Sequence, residues 1–307
     1  MLKGKALKKG DTLGIINISS VGSLNEDRVD GIIKKLKDMG FNVVVGKSCY
    51  ERYGYLAGSD ETRVNDLNNM FANDQVDGIV CIKGGYGAIR VLDKIDYDLI
   101  KKHPKFFIGY SDVTAAHIAL NQKANLVTFH GPMLIGEFER GISKDSYQYA
   151  KALLTGKEKV SYINPDNEEL VCVVEGEIKA PIIGGNLSVL VSTLGTDYEI
   201  DTKGKILFFE EINEEVYRID SMLAHLRLMH KLEECSGFII GKFTKCLEEE
   251  NGFTIEDLIK QYIKPLNKPT IANFQAGHVS PNYMIPFGVE AYLNATEKEL
   301  VVEPAVL

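Results

Sequence analysis

The chain has 307 residues, a length typical of about two domains, and it is 45% hydrophobic and 25% charged. This composition excludes a fibrous or low-complexity protein and supplies enough apolar residues for a buried core. The 43 acidic residues outnumber the 35 basic ones and give a formal net charge of −8. We therefore expect no nucleic-acid partner, because proteins that bind a duplex carry a concentrated basic surface.

The amino-terminal segment and the cysteines favour a cytoplasmic protein. Lysines near the start precede an apolar run of residues 13–16 only, which is shorter than the ~7–15-residue core of a secretory signal. No run reaches the ~18 apolar residues that a membrane span needs. The five cysteines form no CxxC pair, and Cys81 and Cys172 lie in apolar runs. We expect buried free thiols, no membrane association, and neither a metal nor another cofactor.

In the first half of the chain, short apolar runs alternate with amphipathic stretches. The predicted strands are residues 12–17, 41–45, 76–82, 105–109 and 126–129, and the predicted helices are 27–39, 88–101 and 112–121. This alternation predicts an α/β fold with a mostly parallel, Rossmann-like sheet covered by helices on both faces. In such sheets, ligands bind beyond the carboxyl ends of the strands.

The second half is richer in short strands. Predicted strands are residues 178–183, 206–209, 237–240, 270–274, 288–293 and 299–302, with one helix after Glu214 and another at 255–263. Residues 161–178 are charged and have no long helical period. We therefore predict an N-terminal α/β domain (1–160), a junction (161–178) and a smaller, β-rich α/β C-terminal domain (179–307).

Ser111 lies where a predicted strand ends and a helix begins, in the segment FIGYSDVT (residues 107–114). A strand-to-helix turn can hold a serine oxygen above the sheet, beside the unpaired N–H groups of the helix start. The G-x-S-x-G pattern of a nucleophile elbow is incomplete here. A helix cap formed by Ser111 or Asp112 is the commoner role of such residues, so both roles stay open.

Glu210 ends the apolar run of residues 206–209 and therefore falls at the carboxyl end of a strand. An acidic cluster at this place is more often a solvated helix entrance than a catalytic group. Strand alternation nevertheless points Glu210 to the same side as Phe208, which is unusual for a solvent-facing acid. The same alternation points Glu211 to the other side, so we expect its replacement to be nearly silent.

His278 lies on a predicted loop beside a glycine, in the segment FQAGHVSPN (residues 274–282). A histidine in a loop is a better candidate for a general base than one on a helix face. His117 and His130 are its rivals because they are close to Ser111 in sequence. For any single histidine, a structural role is the commoner one.

The segment KGGYG (residues 83–87) follows a predicted strand and precedes a helix. Glycines here allow the backbone to approach a ligand closely and offer free N–H groups to a phosphate or an oxyanion. Neither the Walker pattern nor G-x-G-x-x-G is present. The loop, Ser111, Glu210 and His278 all lie at predicted strand ends, and the order Ser…Glu…His suits nucleophilic catalysis.

These residues belong to a wider set of short motifs. The motifs are GYLAGSDETR (54–63), GGYG (84–87), GYSDVT (109–114), FHGPM (129–133), GGNL (184–187), EEINEEVYRID (210–220) and GH (277–278). With them, the chain resembles the serine LD-carboxypeptidases of the peptidase S66 family. That family includes murein tetrapeptide carboxypeptidases and microcin C self-immunity peptidases. The resemblance covers nearly the whole chain.

Position by position, the resemblance implies that Ser111 is the nucleophile, His278 the general base and Glu210 the acid that orients the histidine. It implies that backbone N–H groups of Gly85 and Asp112 form the oxyanion hole. It also implies an active site between an α/β N-terminal domain and a smaller β-rich C-terminal domain. A homodimer is common in the family.

The segment YRID (217–220) is similar to the murein tetrapeptide carboxypeptidase branch, which implies hydrolysis of the L,D-peptide bond that releases terminal D-alanine during cell-wall recycling. Tyr217, Lys83, Arg90 and Arg218 are candidates for substrate binding, and Lys83 stands where many relatives have arginine. Two alternatives stay open. One is a self-immunity peptidase that cleaves peptidyl-nucleotides, and the other is a small-ligand binding protein without catalysis.

Overall fold

The computed structural model describes residues 1–247 and 252–307, which form two β-sheets and their covering helices. The strands are β1 Thr12–Ile16, β2 Asn42–Val45, β3 Gly78–Cys81, β4 Phe106–Gly109, β5 Thr128–His130, β6 Val160–Tyr162, β7 Val171–Val174, β8 Glu177–Asn186, β9 Ile206–Ile212, β10 Gly237–Thr244, β11 Thr270–Ala272, β12 Ile285–Phe287, β13 Glu290–Asn294 and β14 Glu299–Val302. The α-helices are α1 Glu26–Asp38, α2 Asp60–Ala72, α3 Tyr97–Lys102, α4 Thr114–Ala124, α5 Lys144–Thr155, α6 Leu187–Ser192, α7 Val216–Leu228 and α8 Ile255–Tyr262. None of these helices is long and apolar enough to cross a bilayer.

The first sheet has six strands in the order β12-β5-β4-β3-β1-β2. All its pairs are parallel except β12 with β5. Its central strands β3 and β4 are buried along their whole length, as expected for a parallel sheet covered on both faces. The predicted mixed α/β class with a parallel-rich sheet is confirmed, although β12 joins this sheet from the far end of the chain.

Helix α1 shows how local sequence forms the cover of this sheet. Asn25 caps it by accepting a hydrogen bond from the Arg28 N–H, which satisfies one of the unpaired donors of the first turn. Val29, Ile32 and Leu36 share one face at helical spacing and are buried. Burying each such side chain stabilises the fold by about 1.5–3 kcal/mol relative to leaving it exposed.

The second sheet has eight strands in the order β6-β14-β13-β8-β9-β10-β11-β7. Its core of β8, β9, β10 and β11 is parallel, and its flanking pairs are antiparallel. The predicted junction carries β7, and β6 begins just before it; these two strands form the two edges of the sheet. The proposed domain limits stay a prediction.

Both sheets meet where β8 ends against the start of α4. Gly185 has φ +138°, and a Cβ there would lie 2.4 Å from Thr114 Oγ1. The Asn186 N–H donates to the same oxygen at 3.0 Å. This close approach brings the carboxyl ends of β4 and β9, which are strands of different sheets, to one region of the molecule.

All five cysteines are free thiols. Cys81 on β3 is fully buried, as predicted, whereas Cys172 is only half-buried. The prediction of burial is wrong for Cys172 because β7 is an edge strand, where one side of the strand has no neighbour.

Candidate active site

Ser111 occupies a strained turn directly after β4. Its φ is +62°, in the left-handed region that costs a non-glycine residue about 1–3 kcal/mol. A short 3₁₀ turn, Ser111–Val113, leads into α4. Within the described residues, neither this turn nor α4 has a side-chain cap. The helix-cap interpretation of Ser111 and Asp112 is therefore wrong.

The Asp112 side chain ties the turn to the glycine loop. Its Oδ2 accepts a hydrogen bond from the Ala88 N–H at 2.9 Å. Burial raises the pKa of Asp112, and hydrogen bonds from the loop backbone and the charge of Arg63 oppose that rise. This contact fixes the loop relative to Ser111.

The glycine loop lies directly against Ser111. A Cβ on Gly84 would lie 3.1 Å from the Ser111 Cβ. Gly85 has φ +126°, and a Cβ there would lie 1.9 Å from the Ser20 Oγ. Within the part of the chain that the structure describes, the Gly85 N–H donates no hydrogen bond. The loop therefore needs glycine at Gly85, a side chain at Gly84 would press on Ser111, and Gly85 retains a free donor near the serine.

Glu210 and His278 form a hydrogen-bonded pair. Glu210 does not end its strand as predicted, because β9 continues two residues further to Ile212. The distance from His278 Nδ1 to Glu210 Oε2 is 2.8 Å. The Glu210 side chain is fully buried, and the His278 side chain is 15% exposed. Burial lowers the pKa of His278, but the hydrogen bond and charge of Glu210, with the charges of Glu211 and Glu137, outweigh it and leave the pKa above its ordinary value. The pair suits a base that becomes positively charged during a reaction.

Gly277 allows this pair to form. Its φ is +114°, and a Cβ there would lie 2.6 Å from Glu210 Oε2. The Gly277 N–H donates to Asn282 Oδ1 at 3.0 Å. Any side chain at this position would push the carboxylate away from the imidazole.

Tyr110 links Ser111 to His278, and the sequence analysis missed it. The Tyr110 and His278 rings have their centroids 4.8 Å apart. Because Tyr110 is the residue before Ser111, this contact brings the serine turn and the His278 loop together. The sequence did offer an indication of this contact, because an aromatic residue stands directly before the candidate nucleophile.

His117 and His130 are structural. His117 Nε2 lies 2.8 Å from the Gly109 carbonyl, and burial lowers the pKa of His117 to about 4. His130 is fully buried with its pKa well below the ordinary value, mainly through burial. Neither His130 nitrogen has a hydrogen-bond partner among the described residues. Both imidazoles are therefore neutral and packed in the core.

Glu211 is not the solvated residue, replaceable with little effect, that the sequence predicted. It points away from His278, as alternation predicted, yet it is only 2% exposed. Its carboxylate accepts hydrogen bonds from Asn186 Nδ2 at 2.9 Å and from the Ser188 N–H at 2.7 Å. Replacing it is expected to cost stability, because buried donors would lose their acceptor.

The candidate binding residues lie in different surroundings. Lys83 Nζ donates to Ser20 Oγ at 3.0 Å and to the Gly84 carbonyl at 2.8 Å, and burial lowers the pKa of Lys83. Arg90 forms two hydrogen bonds of 3.0 Å with Asp60. Tyr217 and Arg218 are exposed on α7. Lys83 is thus the cation that lies within the glycine loop.

Two further features bear on ligand binding. Within residues 1–247 and 252–307, no three histidine, cysteine or acidic side chains lie close enough to hold a metal ion. A cavity of about 690 Å³ lies between α4 and β8, with Asn121, Ile183 and Lys205 in its wall. None of Ser111, Glu210 and His278 lines it.

Comparisons with known proteins match both halves of the chain. One family model, described as the LD-carboxypeptidase N-terminal domain, matches residues 13–131. A second, described as the LD-carboxypeptidase C-terminal domain, matches residues 179–293. A probable murein peptide carboxypeptidase of Bacillus subtilis is 39% identical over 312 residues, covering 99% of this chain and 95% of that protein.

Solved structures share the fold. An MccF-like protein from Bacillus anthracis superposes with a TM-score of 0.86 and 30% identity, covering 99% of this chain and all of that one. A muramoyltetrapeptide carboxypeptidase from Oxalobacter formigenes superposes with a TM-score of 0.84 and 25% identity, covering 96% of this chain and all of that one.

Proposed function

The chain belongs to the LD-carboxypeptidase family, and from that premise we propose that it is a serine peptidase that releases terminal D-alanine from murein tetrapeptides. The observation that carries this proposal is the buried Glu210–His278 pair beside the strained Ser111 turn. A buried acid on one imidazole nitrogen leaves the other nitrogen for a serine.

In the proposed reaction, Ser111 Oγ attacks the carbonyl carbon of the scissile bond while His278 Nε2 takes the hydroxyl proton. His278 then gives this proton to the leaving amino group of D-alanine, and an acyl-serine remains. A water molecule then attacks the acyl carbon while His278 takes its proton; the bond between that carbon and Ser111 Oγ breaks, His278 returns the proton to the serine oxygen, and the carboxylate product leaves. Glu210 holds the imidazole in the required tautomer and stabilises its protonated form.

Two backbone donors fit the negative charge that develops on the carbonyl oxygen. The free Gly85 N–H and the Asp112 N–H at the start of the 3₁₀ turn are the proposed oxyanion hole. Deleting one such donor in a serine peptidase costs about 3 kcal/mol of transition-state stabilisation. The Asp112 carboxylate accepts the Ala88 N–H and so anchors the glycine loop, which keeps the Gly85 and Asp112 N–H groups in a fixed arrangement.

Lys83 is the proposed partner of the terminal carboxylate of the substrate. Its ammonium is partly buried, and its hydrogen bonds within the described residues all go to neutral oxygens. By contrast, Arg90 is already paired with Asp60, and Arg218 lies beside Glu215. A partly buried cation that lacks a carboxylate gains most from meeting one, because it is weakly solvated.

Replacing Lys83 with methionine is expected to raise KM by about 10–100-fold, the effect of losing a charged hydrogen bond, with a smaller change in kcat. Initial rates of D-alanine release over a range of tetrapeptide concentrations measure this. Arg90→Met is the control, because that guanidinium is already engaged with Asp60. If Arg90→Met raised KM and Lys83→Met did not, the two assignments would be exchanged.

The enzyme is expected to cleave the tetrapeptide that ends in D-alanine and to leave its all-L analogue essentially uncut. Inverting the terminal α-carbon exchanges its methyl group and hydrogen, so the carboxylate and scissile carbonyl cannot both keep their contacts. A misplacement of ~1 Å costs on the order of 100-fold in rate. Comparing kcat/KM on the two peptides measures the preference, and equal values would contradict the LD assignment.

The second candidate function is cleavage of peptidyl-nucleotides in antibiotic self-immunity. The 30% identity to the MccF-like protein favours it. It shares the proposed catalytic groups and differs in the substrate. A higher kcat/KM on a peptidyl-nucleotide than on the tetrapeptide would support it over wall-peptide recycling. A purified protein that binds the tetrapeptide without releasing D-alanine would instead be a small-ligand binding protein.

We also propose that the protein acts in the cytoplasm as a homodimer, without nucleic acid. The five free thiols support a reducing compartment. The net charge of −8 opposes binding to nucleic acid. Light scattering during size-exclusion chromatography measures the oligomeric state.

A further inference from the structure

Glu137 is a half-buried acid close to the candidate site that no step of the proposed reaction uses. It lies in a short kinked segment, Leu134–Phe138, in which Ile135 and Gly136 have non-helical backbone angles. Its Oε1 accepts a hydrogen bond from Asn282 Nδ2 at 2.9 Å. Glu137 thereby contacts the far end of the loop that carries His278.

Asn282 passes this contact on to the residue before His278. Its Oδ1 accepts the Gly277 N–H at 3.0 Å, and its own N–H donates to Ser146 Oγ at 2.8 Å. An unbroken series of hydrogen bonds therefore runs from Glu137 through Asn282 to Gly277. This series holds the loop independently of the bond between His278 and Glu210.

The charges around Glu137 couple it to the imidazole. Burial raises the pKa of Glu137 to about 7, while the hydrogen bond from Asn282 and the charges of His278 and Arg140 oppose that rise. The carboxylate in turn raises the pKa of His278, as Glu210 and Glu211 also do. Tyr110 packs against His278 and is held in its neutral form by burial, which raises its pKa.

We propose that Glu137 is a positioning residue for His278 that holds the His278 loop through Asn282 and, by its charge, moves the acidic limit of activity to higher pH. This inference rests on the proposed function in assigning His278 as the base. It separates two contributions of one side chain. The first is a hydrogen-bond acceptor for Asn282, and the second is a negative charge near the imidazole.

The sign of the charge effect follows from the role of the base. His278 must be neutral to accept the serine proton, so kcat/KM rises with pH as His278 loses its proton. An ionised Glu137 stabilises protonated His278 and delays this loss. Removing that charge therefore moves the acidic limb of the profile to lower pH.

Two variants separate the two contributions. Glu137→Gln keeps an acceptor for Asn282 and removes the charge. We expect it to move the acidic limb of kcat/KM down by roughly 0.5 pH unit, less than the 1–3 units of a carboxylate in direct contact. Glu137→Asp keeps the charge but is too short to reach Asn282. We expect it to leave the limb in place and to lower kcat about tenfold, the cost of a loosely held base.

Glu139→Gln is the matched control, because the Glu139 carboxylate pairs with Arg28 instead. It is expected to leave the limb in place. An NMR titration of the His278 ring, assigned by the signal lost in His278→Ala, reports the same shift without turnover. An unmoved limb and an unmoved His278 titration in Glu137→Gln would overturn the inference. Absence of D-alanine release by the unaltered protein, with a His278 titration that still moves in Glu137→Gln, would overturn only the proposed function.

Discussion

Replacing Ser111 with alanine is expected to lower kcat/KM for D-alanine release by about 10⁶-fold, the size of the loss in turnover when a serine nucleophile is removed. The reason is that no acyl-enzyme can form without the hydroxyl oxygen. The fold is expected to persist, because Ser111 caps no helix and the turn is held by the Asp112–Ala88 hydrogen bond. Circular dichroism and thermal unfolding check the fold, and initial rates on the tetrapeptide check the activity.

Thr254→Ala is the matched control for loss of a hydroxyl. Thr254 caps α8 through a capping box with Asp257, so its removal is expected to cost about 1 kcal/mol of stability. Its kcat/KM is expected to stay unchanged. If Ser111→Ala kept more than about a tenth of the activity, less than ~1.4 kcal/mol of transition-state stabilisation would have been lost. Ser111 would then be a structural residue.

Replacing Glu210 with glutamine is expected to lower kcat by about 10⁴-fold, the size of the loss when an orienting acid loses its charge. The amide keeps the size of the carboxylate but does not stabilise the imidazolium, and its NH₂ group favours the wrong tautomer. The loss is expected to be smaller than for Ser111→Ala or His278→Ala, because the orienting acid contributes least of the three. Single-turnover and steady-state rates measure it.

Glu211→Gln is the matched control on the same strand. Its carboxylate contacts Asn186 and Ser188 on the other face of β9. We expect it to lower the free energy of unfolding by about 1–3 kcal/mol, the cost of unsatisfied buried polar groups, and to change kcat only a few-fold. A large loss of turnover in Glu211→Gln together with a normal Glu210→Gln would refute the assignment of Glu210 as the orienting acid.

The sequence by itself predicted the mixed α/β class, because apolar runs and amphipathic stretches alternate regularly in the first half. It also placed Ser111 after a strand, since it follows a run of buried, apolar residues. Glu210 was predicted to end its strand, whereas β9 continues to Ile212. Residues 88–101 were predicted as one helix, yet they form a 3₁₀ segment, Ala88–Lys94, followed by α3. Helices α2, α5 and α6 and strands β6, β7 and β12 were not predicted. The three strands are short, and their pairing partners are distant in sequence.

Only the tertiary structure decided which polar groups meet. Local sequence favours His278 over its rivals His117 and His130 only through its place in a loop. Burial distinguishes the three, because two are enclosed in the core and His278 faces a carboxylate. Replacement of Glu211 was expected to be nearly silent, because the alternation of side chains along a strand shows on which side of β9 Glu211 lies but not what packs against it.

The Glu210–His278 pair joins residues 68 positions apart, and the Glu137–Asn282 pair joins residues 145 apart. No local periodicity encodes such contacts. The first pair forms because Gly277 leaves room for the Glu210 carboxylate, and the second because β12 pairs with β5, which places Asn282 near Glu137. Gly185 lets β8 lie against Thr114, which brings the strand ends of the two sheets together. Hydrophobic periodicity determines which segments are buried, whereas the close packing of those segments determines which charges become neighbours.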